Sequence, residues 1–187
     1  GQNLAGINIR GRYEAGVSYI SEDRLSDSLI TGMNISENLV LREYGKPPFA
    51  NHSIINKAAI RKNAAEKMKQ YQVRASGKSG IDTLVKLLSG GNQQKIVIAK
   101  WLNSNPKIFM FDEPTAGVDI VAKGEIISII REFADKGGAV IFASSELAEM
   151  MAICDDIITI FDGKITGRIG RKELMKEEEL QHAIQRK

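Results

Sequence analysis

Three short runs of apolar residues mark the second half of the chain, at positions 108–111, 140–143 and 157–161. Each run follows a stretch whose composition is compatible with a helix. Because the runs are continuous rather than alternating, they predict strands that are buried on both faces. Buried strands separated by helices are typical of a parallel sheet covered by helices, so the pattern favours the α/β class.

The segment between the first two runs predicts a helix. Four apolar residues recur there at the spacing of one helix face, namely Ile126, Ile129, Ile130 and Phe133. The sequence Lys-Gly-Gly at 136–138 then supplies a stop before the next strand. The pattern therefore predicts a strand-helix-strand unit.

The end of the sheet has a different pattern. The sequence Phe-Asp-Gly-Lys at 161–164 is typical of a tight turn, and it leads into a second apolar stretch at 165–169. We therefore expect a small antiparallel pair that makes the otherwise parallel sheet mixed at its edge. A charged terminal helix is expected from Arg171 onward.

Residues 36–100 are rich in Ala, Lys, Asn and Gln and carry no strand-like run. They predict a helical insertion with a helix at 56–73, and the two prolines at 47 and 48 place a loop in it. The first 20 residues offer two possible strands, at 4–9 and 16–20. This is too little for the opening half of such a sheet.

The chain is expected to form one partial domain in four parts. Residues 1–24 supply remnant strands and the loop after them, and 25–100 form a mainly helical subdomain. Residues 101–170 form the core sheet, and 171–187 form a C-terminal helix. A length of 187 residues suits one domain rather than two.

Composition narrows the classes of function. The hydrophobic fraction of 43% and the charged fraction of 26% are those of a soluble globular protein, and no apolar run approaches the roughly 18 to 20 residues that span a bilayer. The net charge of +3 is spread rather than clustered, so no nucleic-acid partner is expected. The single cysteine, Cys154, and the lack of a signal segment predict a cytoplasmic protein.

Two adjacent carboxylates follow the first apolar run, in the sequence Ile-Phe-Met-Phe-Asp-Glu at 108–113. A buried strand thus delivers Asp112 and Glu113 to its C-terminal end, where ligands bind in open α/β sheets. Asp112 is suited to hold Mg²⁺ through its water shell, and Glu113 can orient or deprotonate the water that attacks a γ-phosphate. The pair predicts a phosphate-hydrolysing site.

The sequence Leu-Ser-Gly-Gly at 88–91 precedes a predicted helix that runs through Ile96, Ala99 and Leu102. Ser89 and the amides of Gly90 and Gly91 therefore lie at a helix N-terminus. Backbone N–H groups and the positive end of the helix dipole favour an anion there, and glycine lets the backbone approach it closely. We expect these residues to contact phosphate.

The sequence Gly-Lys-Ser at 77–79 copies the end of a phosphate-binding loop, but we interpret it as a plain polar loop. Such a loop needs a glycine five positions earlier and a strand before it, whereas Gln72 stands there after a helical stretch. No other Gly-Lys-Ser or Gly-Lys-Thr occurs in the sequence. The chain therefore lacks a lysine placed to hold the β- and γ-phosphates.

Together these motifs resemble the nucleotide-binding domain of ABC transport ATPases. LSGGNQQK at 88–95 resembles the ABC signature, IFMFDE resembles the Walker B strand, and AGVD at 116–119 resembles the loop that follows it. The Asn-Gln-Gln-Lys ending of the signature is similar to that in the C-terminal half of the double ATPase subunits of monosaccharide importers. The resemblance covers the chain from Gly16 onward.

The resemblance implies further site residues. Asn92, Gln93 and Asp119 would contact ATP beside the signature residues, and Glu22 would stand at the Q-loop position near the nucleotide and its Mg²⁺. Most ABC proteins have Gln at this position, and most have His in the switch loop where this chain has Ser145. ATP and Mg²⁺ are the implied cofactors of the intact protein.

The resemblance also implies partners. A second nucleotide-binding domain would face this one head to tail, so that the signature of one domain closes the ATP site of the other. A transmembrane permease would bind the helical insertion and residues 22–38, and a solute-binding protein would act indirectly. The expected location is the cytoplasmic face of the membrane, as a peripheral subunit.

The departures at Glu22 and Ser145 predict that the two ATP sites differ. Loss of the switch histidine removes a donor to the γ-phosphate, and a carboxylate at Glu22 adds negative charge beside phosphate and metal. We therefore expect the site built on Asp112 and Glu113 to be slow, and the site that borrows Ser89 to be the working one.

Two other functions stay open. The chain could belong to a soluble ABC ATPase without a transporter, although it has neither long heptad arms nor the Asn-His-Leu-Asp sequence of the translation class. The isolated chain could also be a non-catalytic module that supplies its signature to a partner. We expect no ATP hydrolysis from the isolated chain.

Overall fold

The computed structural model describes residues 3–52, 54–75 and 80–170. The chain divides into a first unit, Gly1–Ile141, and a second unit, Phe142–Lys187. The predicted terminal helix from Arg171 and the Gly-Lys-Ser sequence at 77–79 lie outside the described residues. The four-part division of the chain stays a prediction.

The first unit contains five α-helices and four strands within its described residues, and a fifth strand begins in it. The helices are α1 (Ile9–Glu14), α2 (Ile35–Val40), α3 (Lys57–Gln70), α4 (Gly90–Leu102) and α5 (Ile120–Asp135). The strands are β1 (Val17–Ile20), β2 (Ala50–Asn51), β3 (Ile54–Ile55), β4 (Ile108–Asp112) and β5 (Ala139–Ala143). A π-helical turn covers Arg24–Ser28, and short 3₁₀ turns cover Gly80–Asp82 and Val85–Leu87.

The main sheet has the strand order β1-β4-β5. Strand β1 runs parallel to β4, with Val17 opposite Ile108 and Ile20 opposite Phe111. The strands predicted at 16–20, 108–111 and 140–143 are therefore confirmed. Helix α5 connects β4 to β5, as expected for a strand-helix-strand unit.

Helix α5 contains the predicted apolar stripe and ends where the sequence predicts. The Asp119 side chain caps it by accepting a hydrogen bond from the Ala122 N–H. The apolar stripe is buried at Ile126, Ile129 and Ile130. The helix ends at Asp135, and Gly137 follows with a φ of 92°, a left-handed conformation that glycine adopts without a steric penalty.

The prediction that the strands are buried on both faces is wrong for the described residues. Phe109 and Phe111 on β4 are buried, and their neighbours in the strand are half-buried. The ring of Phe109 packs edge-on against Phe133 of α5, which covers this face. On the neighbouring strands, Tyr19 and Ile141 are 46% and 54% exposed. Burial therefore alternates along each strand, as on a sheet with one covered face.

Residues 36–100 are mainly helical, as the sequence predicts, but their elements differ in detail. The Asn56 side chain caps α3, which ends three residues before the predicted 73, and α2 begins with a capping box formed by Asn34 and Glu37. Residues 36–100 also contain the antiparallel pair β2 and β3, which the sequence did not predict. Each of these strands has two residues, too short for an apolar pattern to reveal.

The strand predicted at 4–9 is wrong, because the chain enters helix α1 at Ile9. The Asn8 side chain accepts a hydrogen bond from the Gly11 N–H and so starts a helix, which competes with an extended conformation. Ile9 is 83% exposed, so its side chain gains no burial that would favour a strand.

The second unit contains α6 (Leu147–Ile153), β6 (Asp156–Phe161) and β7 (Lys164–Gly170). The predicted turn is confirmed: Asp162 and Gly163 have φ values of 48° and 72°, which are typical of a two-residue hairpin loop. Among the described residues, β6 and β7 form a sheet of their own. The expected mixed edge of the main sheet is therefore wrong.

Candidate functional site

Strand β4 ends at Asp112, which the sequence predicts as a magnesium-holding carboxylate. The hydroxyl of Tyr19, on the neighbouring strand β1, donates a hydrogen bond of 2.9 Å to Oδ2 of Asp112. This bond to a carboxylate raises the pKa of Tyr19, because ionisation of the phenol would break it. The parallel pairing of β1 and β4 thus places the Tyr19 hydroxyl beside the Asp112 carboxylate, and their hydrogen bond restrains the Asp112 side chain. Sequence reasoning did not identify Tyr19.

Glu113 has a φ of 45°, an uncommon backbone conformation for a residue other than glycine. Its carbonyl accepts a hydrogen bond from the Ala116 N–H, so the chain turns sharply directly after the strand. Strained backbone of this kind often lies at functional sites.

The loop from Glu113 to Asp119 is fixed at several points. Thr115 is buried, and its carbonyl accepts a hydrogen bond from the Val118 N–H. Gly117 has a φ of 66°, which a residue with a side chain rarely adopts. The carboxylate of Asp119 is engaged in capping α5 by a 3.0 Å bond from the Ala122 N–H. Asp119 therefore has a structural role beside the nucleotide contact that the resemblance implies.

The signature residues lie where the sequence predicts, at the start of α4. The Ser89 hydroxyl caps the helix and accepts hydrogen bonds from both the backbone N–H and the side-chain amide of Asn92. The Asn92 side-chain oxygen in turn accepts a 2.9 Å bond from the Arg74 N–H. The first N–H groups of a helix have no partners within it, and Gly90 and Gly91 lie in this first turn.

Both signature glycines also pack closely against the loop after β4. A Cβ atom at Gly90 would lie 3.1 Å from the Gly117 carbonyl oxygen, and one at Gly91 would lie 2.3 Å from Cβ of Ala122. Real Cβ atoms do not approach other atoms as closely as 2.3 Å, so Gly91 is required for the packing of α4 on α5. The approach at Gly90 is tight, and a side chain there would force the loop at Gly117 to shift.

The rest of the signature supports the helix from inside. The Gln93 side chain donates a 3.2 Å hydrogen bond to the Val85 carbonyl. The ammonium group of Lys95, whose side chain is 3% exposed, donates to the Gln72 carbonyl at 2.9 Å and pairs with Glu125 of α5 at 2.8 Å. The Asn-Gln-Gln-Lys ending thus fixes α4 against its neighbours.

The described carboxylates suit a magnesium ion that is held partly by phosphate groups, but not a magnesium ion that is held by protein ligands alone. No group of three or more His, Cys, Asp or Glu suited to a metal occurs among residues 3–52, 54–75 and 80–170. Mg²⁺ in nucleotide sites takes one or two carboxylates together with phosphates and waters. Asp112, at the end of β4, fits this arrangement. Glu22 is exposed after β1.

Ser145 belongs to the second unit and is exposed. Its neighbour Ser144 donates a 3.0 Å hydrogen bond to Glu149 and accepts one from the Glu146 N–H, so a local network holds this loop. Glu149 is buried.

The sequence model described as ABC transporter matches residues 1–116. The chain belongs to the ABC transporter family. This match includes the signature and the two carboxylates Asp112 and Glu113 at the end of β4.

Curated relatives carry names that refer to sugar import. The chain is 42% identical over 162 residues to the xylose import ATP-binding protein XylG of Thermoanaerobacter pseudethanolicus, which covers 87% of this chain and 31% of that protein. It is 42% identical over 161 residues to the ribose import ATP-binding protein RbsA of Bacillus cereus, covering 86% and 32%. It is 36% identical to the L-arabinose transport ATP-binding protein AraG of Geobacillus stearothermophilus, covering 87% and 31%. The ABC chain described here thus spans about a third of the length of these relatives.

Solved ATP-binding cassettes confirm the ABC fold. The dimeric post-hydrolysis structure of the cassette MJ0796 bound to ADP and Pi has a TM-score of 0.69 at 19% identity, covering 89% of this chain and 68% of that chain. The ADP conformation of the ABC transporter cassette MJ1267 has a TM-score of 0.69 at 21% identity, covering 94% and 71%. Within the described residues of this ABC chain, no helix has the length and apolar character to cross a bilayer.

Proposed function

We propose that this chain is part of an ATP-binding subunit that powers import of a sugar, or of a related small polar solute, through an ABC transporter. The observation that carries the proposal is the signature helix, which Ser89 caps and which Gly90 and Gly91 hold against the loop after β4. The names of the relatives, which refer to xylose, ribose and arabinose, support a sugar as the solute.

The proposed chemistry is hydrolysis of ATP with Mg²⁺. Asp112 would hold the ion together with the phosphates and water, and Glu113 would orient the attacking water. Tyr19 would keep the Asp112 carboxylate in place by its hydrogen bond of 2.9 Å. Mg²⁺ would neutralise charge on the phosphates, and the protein side chains would fix the positions of the ion and of the attacking water.

The signature would serve the ATP site of a second nucleotide-binding domain that faces this one head to tail. Its serine hydroxyl and glycine amides would contact the γ-phosphate that the partner holds, and Asn92, Gln93 and Asp119 would line the same interface. By the family resemblance, Glu22 and Ser145 stand at the sequence positions where most ABC proteins have Gln and His. We propose that the chain's own site is the slower of the two.

The proposed partners follow from this role. A transmembrane permease would bind the helical insertion, so that the subunit lies peripherally on the cytoplasmic face of the membrane. A solute-binding protein would act through the permease. No nucleic-acid partner is proposed, because the net charge of +3 is modest.

The decisive experiment is uptake in proteoliposomes that contain the permease and the complete ATPase of which this chain is a part. We expect uptake of labelled xylose, ribose or arabinose that needs ATP and Mg²⁺ and that saturates with one of these sugars. A complex that hydrolyses ATP but moves none of these sugars, nor a nucleoside, would contradict the proposed transport function.

The isolated chain is expected to bind ATP weakly and to hydrolyse none. Its sequence offers no lysine in a phosphate-binding loop, and lysine at that place supplies the main grip on the β- and γ-phosphates. Calorimetric titration of the 187-residue chain with ATP and Mg²⁺ measures this. Tight binding together with turnover would refute the interpretation of the chain as a module that needs a partner.

A further inference from the structure

The side chain of Arg24 contacts both elements that form the signature region. Its Nη1 donates a 3.0 Å hydrogen bond to the Ala116 carbonyl, in the loop after β4. Its Nε donates a 3.4 Å bond to the side-chain oxygen of Gln93, in the first turn of α4. A single planar guanidinium can make both contacts because its donors are fixed in a fork.

The guanidinium also lies against the first signature glycine. A Cβ atom at Gly90 would be 2.8 Å from Nη2 of Arg24. Arg24 therefore fills the space that a side chain at Gly90 would take. The loop after β4, the start of α4 and the segment that contains Arg24 meet at this one group.

The segment that carries Arg24 is itself fixed at both ends. At its start, the Asp23 carboxylate accepts hydrogen bonds from the N–H groups of Leu25 and Ser26. At its end, the buried ammonium group of Lys100, on α4, donates to the Ser28 carbonyl. Burial lowers the pKa of Lys100 to about 8, which is consistent with this enclosed position. The π-helical turn Arg24–Ser28 is thus attached to α4 at two places.

The positive charge of Arg24 beside the N-terminus of α4 does not stabilise this helix. A helix N-terminus carries a partial positive charge, so a cation beside Gly90 is repelled by the helix dipole. An anion bound at the same N-terminus would remove this repulsion. The arrangement is therefore better suited to a site that binds phosphate than to a helix that only needs a cap.

We propose that Arg24 is a positioning residue for the signature: it holds Gln93 and the Ala116 carbonyl in one arrangement, and thereby sets where Ser89 and Gly90 meet the phosphate of the partner domain. The inference rests on the proposed function, because it assumes that the signature contributes to ATP hydrolysis. Arg24 acts through the signature and touches no reacting atom.

A double-mutant cycle in the complete ATPase tests this inference. We expect Arg24→Met to lower kcat about tenfold when Ser89 is present, the effect of losing charged hydrogen bonds. In a Ser89→Ala background the same change is expected to lower kcat less than about twofold, because the group that Arg24 positions is already gone. The KM for ATP is expected to change little, since the partner domain holds the nucleotide.

Two further variants distinguish the positioning role of Arg24 from an effect of its charge and from an effect on folding. Arg24→Lys keeps the charge but loses the fork, so we expect it to remain close to Arg24→Met in kcat. Arg131→Met, on the exposed face of α5, removes an arginine remote from the signature and is expected to leave kcat unchanged. Thermal unfolding of each variant measures any loss of stability independently.

The outcomes distinguish this inference from the proposed function. If Ser89→Ala itself leaves turnover unchanged, the proposed role of the signature fails. If Ser89→Ala lowers turnover but Arg24→Met lowers it by the same factor in both backgrounds, the positioning role fails while the proposed function stands. Full activity of Arg24→Lys would also overturn the inference, because charge alone would then suffice.

Discussion

Ser89→Arg is expected to reduce ATP turnover of the complete ATPase by at least about 100-fold, whereas Glu113→Gln is expected to reduce it less than about fivefold. The Ser89 hydroxyl caps α4 beside the two glycines, and an arginine side chain there would fill the space that a phosphate needs. Under the proposed function, the loss would fall on the partner site that borrows this signature. Glu113 would serve the site that we propose to be slower, because Glu22 and Ser145 stand where the resemblance expects Gln and His.

The measurement is steady-state ATP hydrolysis by each variant at saturating ATP and Mg²⁺. Ser128→Arg provides a matched control, because it places the same side chain on an exposed position of α5. We expect this control to keep full turnover. The reverse order, with Glu113→Gln severe and Ser89→Arg mild, would show that the chain's own site is the active one.

The sequence predicts the parts of this site that follow from local pattern. The apolar run before Asp112, the helix after Ser89 and the turn at Gly163 each have a short-range cause: burial of a strand, capping by a hydroxyl, or a positive φ. These elements lie where the pattern places them. The local pattern at 4–9 wrongly predicted a strand, because the Asn8 side chain caps helix α1 there.

Contacts between distant segments could not be predicted in this way. Tyr19 and Asp112 are 93 positions apart, and Arg24 and Ala116 are 92 apart, so only the pairing of β1 with β4 and the path of the following loops bring them together. A sequence signal for Arg24 existed, because it lies two positions after Glu22, which stands at the Q-loop position in the family resemblance. Its partners were not visible without the fold.

The burial of the strands shows a second limit. Continuous apolar runs predict two covered faces, but Tyr19 and Ile141 are exposed on the main sheet. An apolar residue in the sequence does not by itself show that its position is buried. It is buried only where another layer of structure covers it. The described residues place α5 on one face of β4 through Phe133.

Gly91→Ala is expected to lower the free energy of unfolding by about 2 to 3 kcal/mol, while Gly124→Ala is expected to raise it by about 0.5 to 1 kcal/mol. Both substitutions add one methyl group to a helix. At Gly91 the new Cβ would lie 2.3 Å from Cβ of Ala122, so α4 and α5 must move apart. At Gly124 no atom lies within 4 Å, and the gain in helix propensity remains.

Denaturant unfolding of the two variants measures the difference, and thermal unfolding should show Gly91→Ala melting lower and Gly124→Ala melting higher than the unmodified chain. The cost at Gly91 cannot be relieved by a rotamer change, because Ala122 has only a Cβ atom attached to the first turn of α5. The helices would have to separate where the signature meets the loop after β4. Equal shifts of the same sign in both variants would mean that helix propensity, and not the close contact of the two helices, explains the glycine at this signature position.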